Sequence, residues 1–382
     1  MSTKLAVAAV YTPTLGRRPA LLALLSDYWA LTKPEVNFLI LVTTFVGFTL
    51  GCANEGLKFS WLALFNTLLG TLLVASGTAT LNQCIEREYD SQMRRTAWRP
   101  AAAGRVQPRA VLAFGVALSV AGTSYLTFAA GVLPSVLALL TLLSYLFLYT
   151  PLKRKTPLCV FIGAFPGAMP PLIGWAAASG RLTTEAWLLY AILFLWQFPH
   201  FMAIAWMYRE DYDRAGYLML PKGAGRFPFV ILQTMLPLLA LVPVSIASLP
   251  AQRDGICFWS EVLLGIGFVC FGLEFIVQRS RESARRLLRA SIIYLPLLCA
   301  LTLLTERGTP STGLNHADVH ARPPCTLTIS TTMADTSSKC RQLSQSRNRN
   351  PDFRLTASTN PGNRAPTGQQ LRAGIGSQIA CS

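Results

Sequence analysis

WLALFNTLLGTLLVASGTATLNQCIEREYDSQMRRTAWRP, residues 61–100, is the stretch on which the fold turns. Its first half, Trp61 to Leu81, carries no charge and matches the roughly 20 residues a helix needs to cross a bilayer core. Its second half, Asn82 to Pro100, crowds together Glu86, Glu88 and Asp90, then Arg94, Arg95 and Arg99. A further apolar run opens near Val111. Charge concentrated between two membrane-length runs is costly and marks a site.

The rest of the chain agrees with a membrane reading. Of 382 residues, 52% are hydrophobic and 14% charged, against about 25% charged in a soluble domain. Apolar runs of spanning length recur at about 36–54, 58–81, 108–129, 132–152, 158–178, 183–207, 227–249, 257–278 and 287–304. The fold class is therefore all-α: a polytopic bundle of about nine transmembrane helices. Nothing alternates in the manner of barrel strands.

Alternate connections differ in charge. Lys4, Arg17, Arg18 and Lys33, the 82–100 stretch, Lys153-Arg154-Lys155, the 208–226 loop and 278–289 are basic. The intervening connections, 51–60, 129–134, 178–185 and 248–255, are nearly bare. By the positive-inside rule the N-terminus and both acidic stretches are expected in the cytoplasm; a bacterial inner membrane is expected ahead of a mitochondrial one. Topology of this kind, with a basic tail, accounts for the net charge of +16 without a nucleic-acid partner, for which there is no aromatic RNA-binding motif. The expected organisation is a cytoplasmic lead over 1–30, a membrane domain over 31–305 and a polar, disordered, dispensable tail over 306–382. The nine cysteines form no CxxC, so neither zinc nor covalent haem attachment is indicated.

Asn82, Glu86 and Asp90 recur every four residues. Each step advances about 400°, so the three drift by only about 40° per step and share one helix face. Two carboxylates and an amide converging suit Mg²⁺, a hard cation bound by one or two carboxylates plus substrate phosphates. Glu88 falls off that face, as a solvated carboxylate, a partner for Arg87 or Arg95, or a second-row group. Arg94, Arg95 and Arg99 beyond it are guanidinium forks matched to phosphate oxygens. A second acidic stretch, YREDYDRAGYLMLPKGAGR at 208–226, lies on the same side and repeats the pattern: Glu210, Asp211 and Asp213, then Arg214, Lys222 and Arg226. Two such loops could clamp a diphosphate from both sides. No Walker-type loop is present. His200, within FLWQFPHFMAIAW, is either a haem ligand or proton-transfer group, or a packing histidine bonded to a neighbour. A transporter is the competing class, but the ionisable residues gather at a membrane edge and not at the midplane.

The pattern NxxxExxxDxxMxRTxxRP, on Asn82, Glu86, Asp90, Met93, Arg95, Thr96, Arg99 and Pro100, resembles the first motif of the UbiA-type intramembrane prenyltransferases, and more narrowly of their haem-farnesylating branch. DYWALTKPEV (27–36), LKRKTP (152–157), GAMPPLIGWAA (167–177), WQFPHF (196–201), DYDRAGYLMLP (211–221) and SIIYLPLL (291–298) agree in order. The resemblance covers about 26–304. It implies farnesyl transfer from farnesyl diphosphate to a vinyl group of haem b, a substrate and not a cofactor, to make haem O. Another aromatic acceptor is the alternative. It implies Mg²⁺ on Asn82, Glu86, Asp90 and Asp211, with Asp90, Arg95, Arg99 and Asp211 catalytic. Asn82, Lys153, Arg154, His200, Arg214 and Lys222 would bind substrate, and a haem A synthase is an expected partner. The sequence departs from the family at Glu86 and Glu88, where Asp is common, at Cys159, where Asn is frequent, and in a shortened segment before Lys222.

Overall fold

The computed structural model describes residues 20–247 and 255–308; the remainder of the N-terminal lead and of the tail expected over 306–382 lies outside the described residues. Helices follow one another as α1 (Ala20–Leu31), α2 (Pro34–Asn54), α3 (Trp61–Asp90), α4 (Pro108–Ala129) and α5 (Val132–Leu143). A π-helical stretch, Ser144–Tyr149, joins α5 to the short α6 (Thr150–Leu152). Then come α7 (Cys159–Gly167), α8 (Pro170–Ser179), α9 (Thr184–Met207), α10 (Arg209–Arg214), α11 (Arg226–Ala247), α12 (Gly255–Gln278) and α13 (Arg281–Gly308). Among the described residues nine segments are long and apolar enough to span a bilayer, and no strand occurs.

Three boundaries differ from the sequence expectation, each for a local reason. Helix α3 does not stop with its apolar run at Leu81. It continues through the acidic motif to Asp90, because Asn82, Gln83 and Glu86 are buried and bonded. Helix α13 starts at Arg281, six residues ahead of the apolar run, with Ser280 and Ser283 bonding each other's backbone N–H. Part of the N-terminal lead is the helix α1, whose Leu21, Leu22, Leu25 and Trp29 are exposed.

The span over 159–179 is broken at Ala168-Met169, since Pro170 and Pro171 supply no N–H. Gln197 from α9 covers the break, donating through Nε2 to Ala164 O at 3.1 Å. Glycine lets α8 approach α2 closely: a Cβ on Gly47 would sit 2.1 Å from Pro171 O, and one on Gly174 2.0 Å from Thr44 O. Small residues that permit backbone approach are how helices associate where lipid supplies no hydrophobic drive.

Candidate active site

Four segments far apart in the chain meet at one end of the bundle: the start of α2, the end of α3, the end of α6 and the segment after α9. Lys33 precedes Pro34 in a left-handed conformation, φ 51° and ψ 63°. Buried amides clasp its turn: Asn37 Nδ2 donates to Thr32 O at 2.9 Å, and Gln83 Nε2 to Leu31 O at 2.9 Å. The Lys33 ammonium is thereby aimed at α3 and donates to Asn82 Oδ1 at 3.1 Å. One turn on, Lys153 Nζ donates to Glu86 Oε1 at 2.8 Å. A turn further, Arg99 Nη1 donates to Asp90 Oδ2 at 2.7 Å. The expected shared face of Asn82, Glu86 and Asp90 is thus a ladder with a cation at every rung. All three ladder residues are buried.

Aromatic rings floor this ladder. Lys153 Nζ lies 4.5 Å from the Tyr149 ring centroid and 5.9 Å from that of Tyr145, and the π-helical stretch carries both. Single π turns inside helices often mark functional sites. Gly163 leaves room for Tyr149, whose ring a Cβ would meet at 2.6 Å. Arg154 bonds Tyr89 Oη at 2.5 Å and lies over its ring. Arg95 sits 5.2 Å above the Tyr208 ring.

The second acidic segment closes against the first. Leu218 N donates to Lys153 O at 2.7 Å, and the Tyr89 and Tyr217 rings stand 5.8 Å apart. Burial first, and then the Glu86 charge, push the Tyr217 phenol well up. Burial also works against Lys153, but the Glu86 carboxylate outweighs it and holds the ammonium well above its usual range. Lys33 goes the other way. Burial, then the charges of Arg99 and Lys153 against the opposing pull of Glu86, bring it down from 10.5 to about 7. Three cations so close together repel one another, and an entering polyanion relieves that repulsion.

The other expected residues fall as follows. Arg214 pairs with Asp211 at 3.3 Å, Glu210 with Arg281 at 2.6 Å and Asp213 with Arg226 at 3.7 Å. Lys222 is exposed, as is Glu88, which pairs with Arg87. Among the described residues no three His, Cys, Asp or Glu side chains gather at metal-holding distance, so Asp211 does not join Glu86 and Asp90 in one cluster. The oxygens of the ladder nonetheless fit a hard cation. Asp90 Oδ1 is buried with no hydrogen-bond partner, an arrangement that costs free energy until a cation meets it.

Sequence reasoning missed the role of Lys33, counted only as a topology charge, and of Tyr145, Tyr149 and Tyr217. The i, i+4, i+8 spacing of Tyr145, Tyr149 and Lys153 was the available signal.

His200, in α9, stands apart from this ladder. Its Nδ1 is 2.8 Å from Ser291 Oγ of α13. Its ring stacks on Trp196 at 4.9 Å and 27°, and Trp196 Nε1 donates to Ser291 O at 2.8 Å. WQFPHF is therefore a brace: Trp196 and His200 grip α13 while Gln197 grips α7.

Fold and site together define a membrane-embedded helical bundle with an anion-receptive, oxygen-rich ladder at one end. Residues 40–295 match the UbiA prenyltransferase family, and the chain belongs to that family. It is 47% identical over 289 residues to a protoheme IX farnesyltransferase of Solibacter usitatus, covering 74% of this chain and 99% of that one. The fold is shared with a solved digeranylgeranylglyceryl phosphate synthase (TM-score 0.59, 15% identity, 74% of this chain and 98% of that one). It is shared also with a UbiA homologue of Archaeoglobus fulgidus solved with GPP and Mg²⁺ (TM-score 0.52, 14% identity, 74% and 99%).

Proposed function

We propose that this chain transfers the farnesyl group of farnesyl diphosphate to a vinyl group of haem b, giving haem O. The observation that carries the reading is the ladder itself: Lys33, Lys153 and Arg99 alternating with Asn82, Glu86 and Asp90 at one end of an apolar bundle. The likeness to a protoheme IX farnesyltransferase across nearly its whole length supports the choice of acceptor.

Asn82, Glu86 and Asp90 would hold one Mg²⁺ and Asp211, from the facing segment, a second, whose Lewis acidity neutralises charge on the diphosphate. The Mg²⁺ seen with GPP in the Archaeoglobus homologue supports this use. Lys33, Lys153 and Arg99, with Arg95 and Arg154 at the rim, receive the charge that develops on the departing diphosphate as the farnesyl C–O bond breaks. Donors already in place cost no reorganisation at that moment. Arg214 and Lys222 would bind substrate from the second acidic segment. The farnesyl cation forms against apolar helix walls that exclude water. Its C1 then bonds the vinyl carbon, and water captures the resulting cation with loss of a proton. His200 serves on the haem side.

The ladder lies on the cytoplasmic side of a bacterial inner membrane in this reading, and the product passes to a haem A synthase. Membranes carrying the chain, supplied with haem b, farnesyl diphosphate and Mg²⁺, should yield a haem of haem O mass. Absence of that product, with the protein inserted and intact, would refute the assignment.

A further inference from the structure

Tyr217 is a buried phenol that no step of the proposed reaction uses. The chain reaches it through Gly216, left-handed at φ 73°, a conformation glycine adopts without strain. The backbone around it is pinned twice: Tyr217 N donates to Tyr212 O at 2.9 Å, and Leu218 N to Lys153 O at 2.7 Å. The second bond ties its neighbour to the lysine whose ammonium donates to Glu86 Oε1 at 2.8 Å. The ring itself packs against Tyr89 at 5.8 Å and Tyr212 at 6.2 Å. Tyr89 follows Glu86 by three positions in α3, so the two side chains are neighbours on one side of that helix. Two separate ties, one through Lys153 and one through Tyr89, therefore bring the phenol to Glu86.

The Tyr217 hydroxyl is buried and completes no hydrogen bond among the described residues. That costs free energy which a partner would recover. Burial first, and then the Glu86 carboxylate as charge and prospective acceptor, keep the proton on the phenol. Tyr217 thus meets Glu86 as a donor with a proton to give. Glu86 is also the rung that most needs a second hold. It has one more side-chain torsion than Asp90, so more freedom is lost in fixing it, and Lys153 holds it at Oε1. Carboxylates that bind cations are aimed by such outer hydrogen bonds.

We propose that Tyr217 is a positioning residue for Glu86: its phenol donates to that carboxylate when a cation draws it toward Asn82 and Asp90, and with Lys153 fixes its aim. This rests on the reading of Asn82, Glu86 and Asp90 as a Mg²⁺ site.

The test uses the full chain in nanodiscs, with Mn²⁺ counted by electron paramagnetic resonance in place of Mg²⁺ and inorganic pyrophosphate as the anion. The wild type should bind Mn²⁺ when pyrophosphate is present. Tyr217→Phe keeps the ring between Tyr89 and Tyr212 and removes only the hydroxyl. Its Mn²⁺ affinity at one site should fall about 10-fold, while metal-free pyrophosphate binding is unchanged. Its metal-free thermal unfolding should come no earlier than that of the wild type, because the lost hydroxyl has no partner there. In a Glu86→Ala chain, adding Tyr217→Phe should cost no further Mn²⁺ affinity. Equal Mn²⁺ affinity in the wild type and Tyr217→Phe overturns the assignment. So does a loss that persists in Glu86→Ala, since the phenol then acts elsewhere, and so does weaker metal-free pyrophosphate binding, which puts the phenol on the anion. Earlier unfolding of Tyr217→Phe overturns it too, by making the hydroxyl structural. A wild type that takes up no Mn²⁺ overturns the Mg²⁺ reading itself.

Discussion

Lys153 Nζ sits 2.8 Å from Glu86 Oε1, tying the end of α6 to the acidic face of α3 across 67 residues of chain. Glu86 is buried and Lys153 partly so, and the pair compensates the charge of each. Lys153→Met should lower kcat by about 10²–10³-fold, as for loss of one preorganised donor to a leaving group. Rates measured with saturating Mg²⁺ check this. A variant within a few-fold of wild type would place Lys153 in structure alone.

Asp90→Asn and Asp211→Asn should each abolish prenyl transfer without loss of membrane insertion. Asp90 keeps its hydrogen-bond shape but loses the charge that meets Arg99 and the cation. Turnover assays beside membrane fractionation separate the two effects. Substantial residual turnover in Asp211→Asn would remove that residue from the metal site.

Lys33 gives a pH signature. Its pKa is lowered from 10.5 to about 7, so at pH 8 the folded chain holds it mostly neutral while the unfolded chain holds it charged. Stability should accordingly rise between about pH 7 and 10.5, the range in which the unfolded state binds the extra proton. A bound diphosphate favours the ammonium, so binding at pH 8 takes up a proton and weakens as pH rises. Calorimetry of pyrophosphate binding in two buffers of different ionisation enthalpy reads the uptake directly. Lys33→Met should lose it; equal uptake in that variant refutes the assignment.

Gly47→Ala and Gly174→Ala test the α2–α8 seam. Each Cβ would meet a backbone oxygen near 2 Å, which rigid helices cannot yield. Overpacking of this kind costs about 1–3 kcal/mol, so thermal unfolding in detergent should come several degrees earlier in each variant.

Removing residues 310–382 should leave turnover unchanged, since the Solibacter relative is matched over 99% of its length by 74% of this chain. A strong loss would assign the tail a role in the reaction.

Spanning segments and the shared face of Asn82, Glu86 and Asp90 were legible because each depends on local periodicity and on residues a few positions apart. Glu88 was separated from them on the same ground and is indeed exposed against Arg87. Lys33 was not legible as part of the site. Its place comes from a left-handed turn held by Asn37 and Gln83, and no pattern around Lys33 encodes that. His200 was legible as an oddity in an apolar run, but its partner Ser291 lies 91 residues away.

By itself, then, the sequence determined that this is a membrane helix bundle, which residues of α3 share a face, and that two acidic stretches belong to one side. Hydropathy, helical period and loop charge are sums over neighbours, so they survive without coordinates. Only the tertiary structure decided which cation meets which carboxylate and which residue of α13 meets His200. Those are pairings between segments, and short-range electrostatics depends on distances that chain order does not contain.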